Sequence, residues 1–259
     1  MKTLKIILNG KETTAKPDQT ILEVAGENGV FIPTICHNPA LEPAAMCRLC
    51  MVELTEGRRT KIVTSCNYPL RQDAEIKTDT ETIRHGRKII IELLMARCPD
   101  SEELKRLAGE YGANLSRFTP LNDDCVVCGL CARVCEKVGG KTLTLSGRGV
   151  HIKVNSAFGE ASPYCIGCGA CVQICPVNAI KIEDIEDERV IMIHGKEAAR
   201  IKLSHCEVCN KSYGPVIDLT KVMERLGEKT IPPPNANICP ECARLRLAKR
   251  IADRYYDVY

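Results

Sequence analysis

At 259 residues the chain exceeds the usual size of one compact unit, so two or three domains are expected. Trp is absent and Phe occurs three times, which leaves any core short of large aromatic groups. A formal net charge of +3 is too small to point to nucleic acid or an anionic membrane as a partner. The outstanding feature is 17 cysteines, an odd number, gathered in short-spaced clusters. Disulfides would imply a secreted chain with a leader, but Ile6-Ile7-Leu8 breaks at Asn9-Gly10, too short for one. The apolar stretch Ile89–Ala96 is interrupted by Glu92 and is too short to span a bilayer. A cytoplasmic, reducing setting is expected, in which clustered thiols bind metal.

In chain order, Lys2–Leu8, the Asn9-Gly10 turn and Glu12–Ala15 predict a β-hairpin. Thr20 with Glu23 has capping-box spacing, ahead of a helix that starts at Ile21 and stops before Gly29. Met51–Leu54, Thr60–Thr64 and Ala74–Thr78 read as further short strands, and this order suits a β-grasp domain over residues 1–78. Thr78 with Glu81 repeats the capping spacing and opens a helix to about Ala96, with Ile83, Ile90, Ile91, Leu93 and Leu94 on it. A second helix is expected over Glu102–Gly109, which makes residues 79–119 a helical connector. Residues 120–185 hold two copies of one cysteine pattern, separated by Gly139-Gly140, Gly147 and Gly149. Residues 186–259 form a tail module broken by Pro232-Pro233-Pro234. The fold class is α+β.

Cys36, Cys47, Cys50 and Cys66 have gaps of ten, two and fifteen residues. A plant-type [2Fe–2S] set likewise joins a close pair to one ligand before it and one well after. A closed zinc site usually draws on two close pairs, and here there is one pair with two singles. His37 beside Cys36 is expected to be a loop residue, because four Cys complete the set. Cys125, Cys128, Cys131 and Cys135 have gaps of two, two and three, which Cys165, Cys168, Cys171 and Cys175 repeat, with Pro176 next. In this bacterial two-cluster run each fourth Cys ligates the other cluster. One [4Fe–4S] is therefore expected on Cys125, Cys128, Cys131 and Cys175, and a second on Cys135, Cys165, Cys168 and Cys171. Gly129, Gly167 and Gly169 sit between ligands, where an unhindered backbone can fold around a cubane and turn N–H groups to its sulfurs. Gly139-Gly140-Lys141-Thr142 has the look of a phosphate loop but fails, since Cys135 stands where its first glycine belongs.

In the tail, Cys206-x-x-Cys209 and Cys239-x-x-Cys242 are twenty-nine residues apart, the spacing of a zinc ribbon. A third [4Fe–4S] is the alternative for these four thiols, and His205 adjoins the first pair as a loop residue. Arg244, Arg246, Lys249, Arg250 and Arg254 follow among Leu245, Leu247 and Ile251 on an expected helix. Docking on a partner subunit is favoured over nucleic-acid binding for this helix.

The segment Ala44-Ala45-Met46-Cys47-Arg48-Leu49-Cys50-Met51-Val52-Glu53 resembles a loop of the large iron–sulfur subunit of respiratory complex I. It also resembles the diaphorase iron–sulfur subunit of NAD-reducing [NiFe]-hydrogenases and the electron-entry region of bifurcating hydrogenases, and the resemblance covers residues 1 to about 185. Such relatives carry a further [4Fe–4S] on one His and three Cys. Here Leu94–Asp100 offers Cys98 alone, with His85 thirteen residues upstream, so that cluster is expected to be lost and Cys98 to be a buried or idle thiol. The resemblance implies an electron relay with no catalytic site of its own. Its implied partners are an FMN- and NAD(P)-binding flavoprotein subunit and a small thioredoxin-like iron–sulfur subunit. The terminal partner would be a [NiFe]-hydrogenase, a formate dehydrogenase or ferredoxin, and no membrane. Two rivals are an iron–sulfur redox-sensing regulator whose basic tail binds nucleic acid, and a self-sufficient oxidoreductase.

Overall fold

The computed structural model describes residues 3–156, 159–215 and 237–256, the last three by backbone alone. Its N-terminal sheet comprises β1 (Leu4–Leu8), β2 (Lys11–Ala15), β3 (Met51–Glu56), β4 (Arg59–Thr64) and β5 (Ala74–Lys77), in the order β2-β1-β5-β3-β4. The β1–β5 pair is parallel and the others antiparallel. Strand alternation explains the sidedness: Leu4, Ile6 and Leu8 are buried while Lys5 and Ile7 face out. Onto the buried face packs α1 (Ile21–Glu27) through Ile21, Val24 and Ala25, which share a core with Val52, Leu54, Leu70 and Ile76. The expected capping box is present, with Glu23 N donating to Thr20 Oγ1 at 3.3 Å and Thr20 N to Glu23 Oε2 at 2.7 Å.

The second capping expectation is corrected. α2 (Glu81–Arg97) is capped by Thr80, whose Oγ1 accepts from Ile83 N at 3.3 Å and donates to Glu53 Oε1 at 2.7 Å. Thr78 is taken by Asn9, which donates to its hydroxyl and accepts from its N–H, each at 2.8 Å. After α2, α3 (Glu102–Tyr111) starts at a Ser101 cap and ends at Gly112 with φ 60°. Ile91, Met95, Leu104 and Leu107 from these helices join Ile35, Leu41 and Leu49 in a second core, to which Val126 and Leu130 also belong.

Beyond the connector lie α4 (Leu130–Lys137), the hairpin β6 (Leu143–Ser146) and β7 (Lys153–Ser156), and the short α5 (Ala170–Gln173). A four-stranded antiparallel sheet then runs β8 (Ile180–Ile185), β9 (Glu188–Ile193), β10 (Lys196–His205) and β11 (Ser212–Pro215). β8 pairs with β9 along its whole length, so backbone hydrogen bonding runs through the boundary expected between 185 and 186. Residues 186–215 belong to the same sheet as the strand after the second cysteine motif. α6 (Pro240–Tyr256) closes the described chain, and Pro232-Pro233-Pro234 lies outside the described residues. Among the described residues no helix is long and apolar enough to cross a membrane.

Candidate metal centres

Cys36, Cys47 and Cys50 lie on the long loop between α1 and β3, and Cys66 follows β4. The structure brings them together as two close pairs. Contact with Cys36 pulls the Cys47 thiol down to about 5, and contact with Cys66 pulls Cys50 down to about 7, while Cys36 and Cys66 are pushed up by the same partners. Two irons needing two thiolates apiece fit such a pattern. Cys47 N also donates to Cys36 Sγ at 3.3 Å, an amide aimed at a ligand sulfur. The loop is left-handed at Ala45 and Arg48, with φ 51° and 62°, a conformation that surrounding contacts must hold.

Arg87 supplies much of that hold. Its buried guanidinium donates from Nε to Leu49 O at 2.9 Å and from Nη2 to Met51 O at 2.8 Å, the carbonyls on either side of Cys50. Nothing in the spacing of the sequence singles Arg87 out, because these two carbonyls are more than thirty residues away.

Cys125, Cys128, Cys131 and Cys175 line one cavity, and Cys135, Cys165, Cys168 and Cys171 line another. The fourth cysteine of each motif lines the cavity of the other motif: Cys131 and Cys135 lie one turn apart on α4, while Cys171 is in α5 and Cys175 just past its end. Gly129 and Gly169 cap these helices at φ 71° and 72°, and a Cβ on Gly129 would meet Met46 Sδ at 2.9 Å. Backbone amides again aim at sulfur, from Val127 to Cys125 at 3.2 Å, Thr142 to Cys135 at 3.3 Å and Ala179 to Cys175 at 3.2 Å. Burial pushes the thiols of Cys128 and Cys171 up to about 11 and that of Cys131 to about 12. As bare thiols these groups hold their protons, and bound iron displaces them. Cys168 is the exposed member of the second set.

The first two sets adjoin. Cys36, Cys47 and Cys128 share one apolar core, and Arg133 of α4 donates to Cys36 O at 2.5 Å and to Glu42 O at 2.7 Å. Lys137 Nζ donates to Ala40 O of the same loop. Cys98 joins none of the four sets; it is buried, donates to Asp124 O at 3.3 Å and is pushed up to about 11 by burial. His85 is exposed on α2.

In the tail the ligand atoms of Cys206, Cys209, Cys239 and Cys242 all lie within 4.8 Å of one another, and Cys209 Sγ is 3.8 Å from Cys239 Sγ. Zn–S bonds of about 2.3 Å in a tetrahedron put sulfurs about 3.8 Å apart. Cys239 N donates to Cys206 Sγ at 3.3 Å and Cys242 N to Cys239 Sγ at 3.4 Å. His205 turns instead to Asp187, with Nε2 3.2 Å from Oδ1.

Residues 1–81 match the 2Fe-2S iron-sulfur cluster binding domain, and residues 164–213 match the 4Fe-4S dicluster domain. The chain carries both kinds of iron–sulfur domain. The second match takes in the motif at 165–175 and reaches Cys206 and Cys209, leaving Cys125–Cys135 outside it. An NADH-quinone oxidoreductase component from Rickettsia prowazekii is 25% identical over 235 residues, 77% of this chain and 34% of that protein. The HndD component of the NADP-reducing hydrogenase of Solidesulfovibrio fructosivorans is 31% identical over 214 residues, 70% of this chain and 36% of that one. A chain in the crystal structure of NAD+-reducing [NiFe]-hydrogenase in the H2-reduced state superposes with a TM-score of 0.57 at 27% identity, covering 68% of this chain and 85% of that one. The resemblance drawn from the cysteine loop thus extends to most of the sequence. The chain spans about a third of the length of the curated relatives it matches.

Proposed function

We propose that this chain is the electron-relay subunit of an NAD(P)-linked, multi-subunit oxidoreductase, a hydrogenase or a related enzyme. Its carriers are a [2Fe–2S] on Cys36, Cys47, Cys50 and Cys66, a [4Fe–4S] on Cys125, Cys128, Cys131 and Cys175, and a second on Cys135, Cys165, Cys168 and Cys171. The observation that carries this reading is the contiguity of the sets: the [2Fe–2S] loop is clasped to α4 by Arg133, and α4 supplies ligands to both cubanes. Electrons pass from [2Fe–2S] to the first cubane and on to the second, or in reverse, without an intermediate centre. Thiolate-bound clusters exchange electrons at their edges without bond making at a substrate, so chemistry belongs to the partners. These are a flavoprotein subunit with FMN and NAD(P), a small thioredoxin-like iron–sulfur subunit, and a terminal [NiFe]-hydrogenase, formate dehydrogenase or ferredoxin. The exposed Cys168, flanked by Tyr164 at 79% exposure and Ile166 at 38%, marks the end at which one partner docks. The tail is a zinc-ribbon-like element, supported by the sulfur spacing that suits a single ion.

Anaerobically reconstituted chain mixed with NAD(P)H alone should keep its oxidised visible spectrum, and a catalytic amount of the flavoprotein subunit should then bleach it. Bleaching by NAD(P)H without that subunit would overturn the relay assignment.

A further inference from the structure

The two cubane cavities descend from one duplicated motif, yet the polar side chain in each wall differs. The second is lined by Cys, Gly, Ala and aliphatic side chains and by the neutral Thr142, whose hydroxyl lies 3.3 Å from Cys135 Sγ. The first is equally apolar apart from its ligands, except for His194. This residue sits in the turn between β9 and β10, where His194 and Gly195 have φ 50° and 69°, and the turn sets it in the cavity wall. Its Nδ1 is 3.1 Å from Asp123 Oδ1. Asp123 is fixed in turn by Arg97, whose Nη2 is 3.0 Å from Oδ2. Arg97 also donates to Cys125 O at 2.9 Å, to Val150 O at 3.1 Å and to Ile152 O, so the row is anchored to the backbone of a cluster ligand. The other ring nitrogen, Nε2, is buried and has no hydrogen-bond partner among the described residues.

A buried imidazole nitrogen without a partner is costly unless something in the cavity completes it. Four Cys already satisfy the irons there, so the ring has no vacant iron to ligate; the acceptors on offer are cluster and thiolate sulfurs. We propose that His194 donates from Nε2 to the cubane on Cys125, Cys128, Cys131 and Cys175, held in place by Asp123 and Arg97, and sets that cluster's potential above that of its twin. The inference rests on the ligand sets assigned above. In its cationic form the ring donates at both nitrogens, to the Asp123 carboxylate on one side and to the cluster sulfurs on the other. A donor at the sulfurs stabilises the reduced, more negative cluster and raises its potential. Electrons entering the pair therefore settle first on the cubane next to the [2Fe–2S] set.

The test is an EPR-monitored redox titration of the full chain, wild type against His194→Leu and His194→Gln, with iron counted in each sample. The wild type should show two separate [4Fe–4S] midpoints. In His194→Leu the higher one should fall toward the lower, which stays put, and His194→Gln, which keeps an N–H donor, should recover part of the fall. His194→Met carries the same comparison if the leucine variant loads poorly. Full iron with both midpoints unmoved, or with both moved equally, would overturn the role of His194. Failure of the wild type to hold two [4Fe–4S] clusters would instead strike at the ligand sets.

Discussion

Arg87 shows how a single side chain ties a metal loop to the scaffold. Its guanidinium is buried and satisfies two carbonyls beside Cys50, and Nη1 reaches Tyr111 Oη at 3.3 Å, so the loop, α2 and the end of α3 meet on one group. Arg87→Met leaves those carbonyls without a donor. A loss of about 3 kcal/mol in unfolding free energy is expected, with weaker retention of the [2Fe–2S] absorption on heating. Cys98 makes the opposite case. Its protonated thiol meets the Asp124 carbonyl and the Ser101 amide, so Cys98→Ala should cost about 1 kcal/mol and leave iron content unchanged. Loss of about four iron per chain in that variant would mean that Cys98 ligates a cluster after all. The grouping of the cysteines was legible because their spacing is local and specific. Arg87, Arg133 and His194 were not, since each acts on residues that only the fold brings near.

At the scale of elements, two capping signals of equal spacing have different fates. Thr20 and Glu23 lie beside each other at the start of α1 with no competitor, and the box forms. Thr78 and Glu81 have the same spacing, but Asn9, 69 residues away in sequence, takes Thr78 at the end of β5, and Thr80 caps α2. Thr20→Ala and Thr80→Ala should therefore each cost about 1 kcal/mol by denaturant titration. The N–H of Thr20, followed by its hydroxyl, holds the Glu23 carboxyl below its ordinary value. The sign follows from linkage: this stabilisation is present above the unfolded carboxylate pKa, near about 4.3, and is lost as acid protonates Glu23 in the folded state. Glu23→Gln should flatten the acid limb of the stability profile. The β8–β9 hairpin is hidden from the sequence for a comparable reason. Its turn, Glu186-Asp187, lacks the glycine or asparagine that usually marks a two-residue hairpin, so the sequence suggests a module boundary where the sheet in fact continues.

For the whole molecule, cysteine sets take the place of the missing aromatic groups. Cys36 and Cys128 sit in the core shared by the connector helices, Cys125, Cys131 and Cys171 in the core under the second sheet, and Cys206 and Cys239 in the tail. Metal binding and folding are coupled in such a design. In the tail, burial raises the Cys206 thiol, but the amides of Cys239, Cys209 and Val208 outweigh it and hold it down to about 6, while contact with Cys239 pushes Cys242 up to about 12. Zinc bound at the proposed tail site would have to displace the proton on Cys242, so zinc-loaded chain should release the ion progressively on acidification, which a chromophoric chelator reports. The central claim, three iron–sulfur clusters in one relay, is tested most directly by anaerobic metal and sulfide analysis combined with EPR of the reduced chain. About ten iron per chain, one zinc, and the signals of one [2Fe–2S] and two [4Fe–4S] clusters are expected. About six iron, with a single [4Fe–4S] signal, would contradict it.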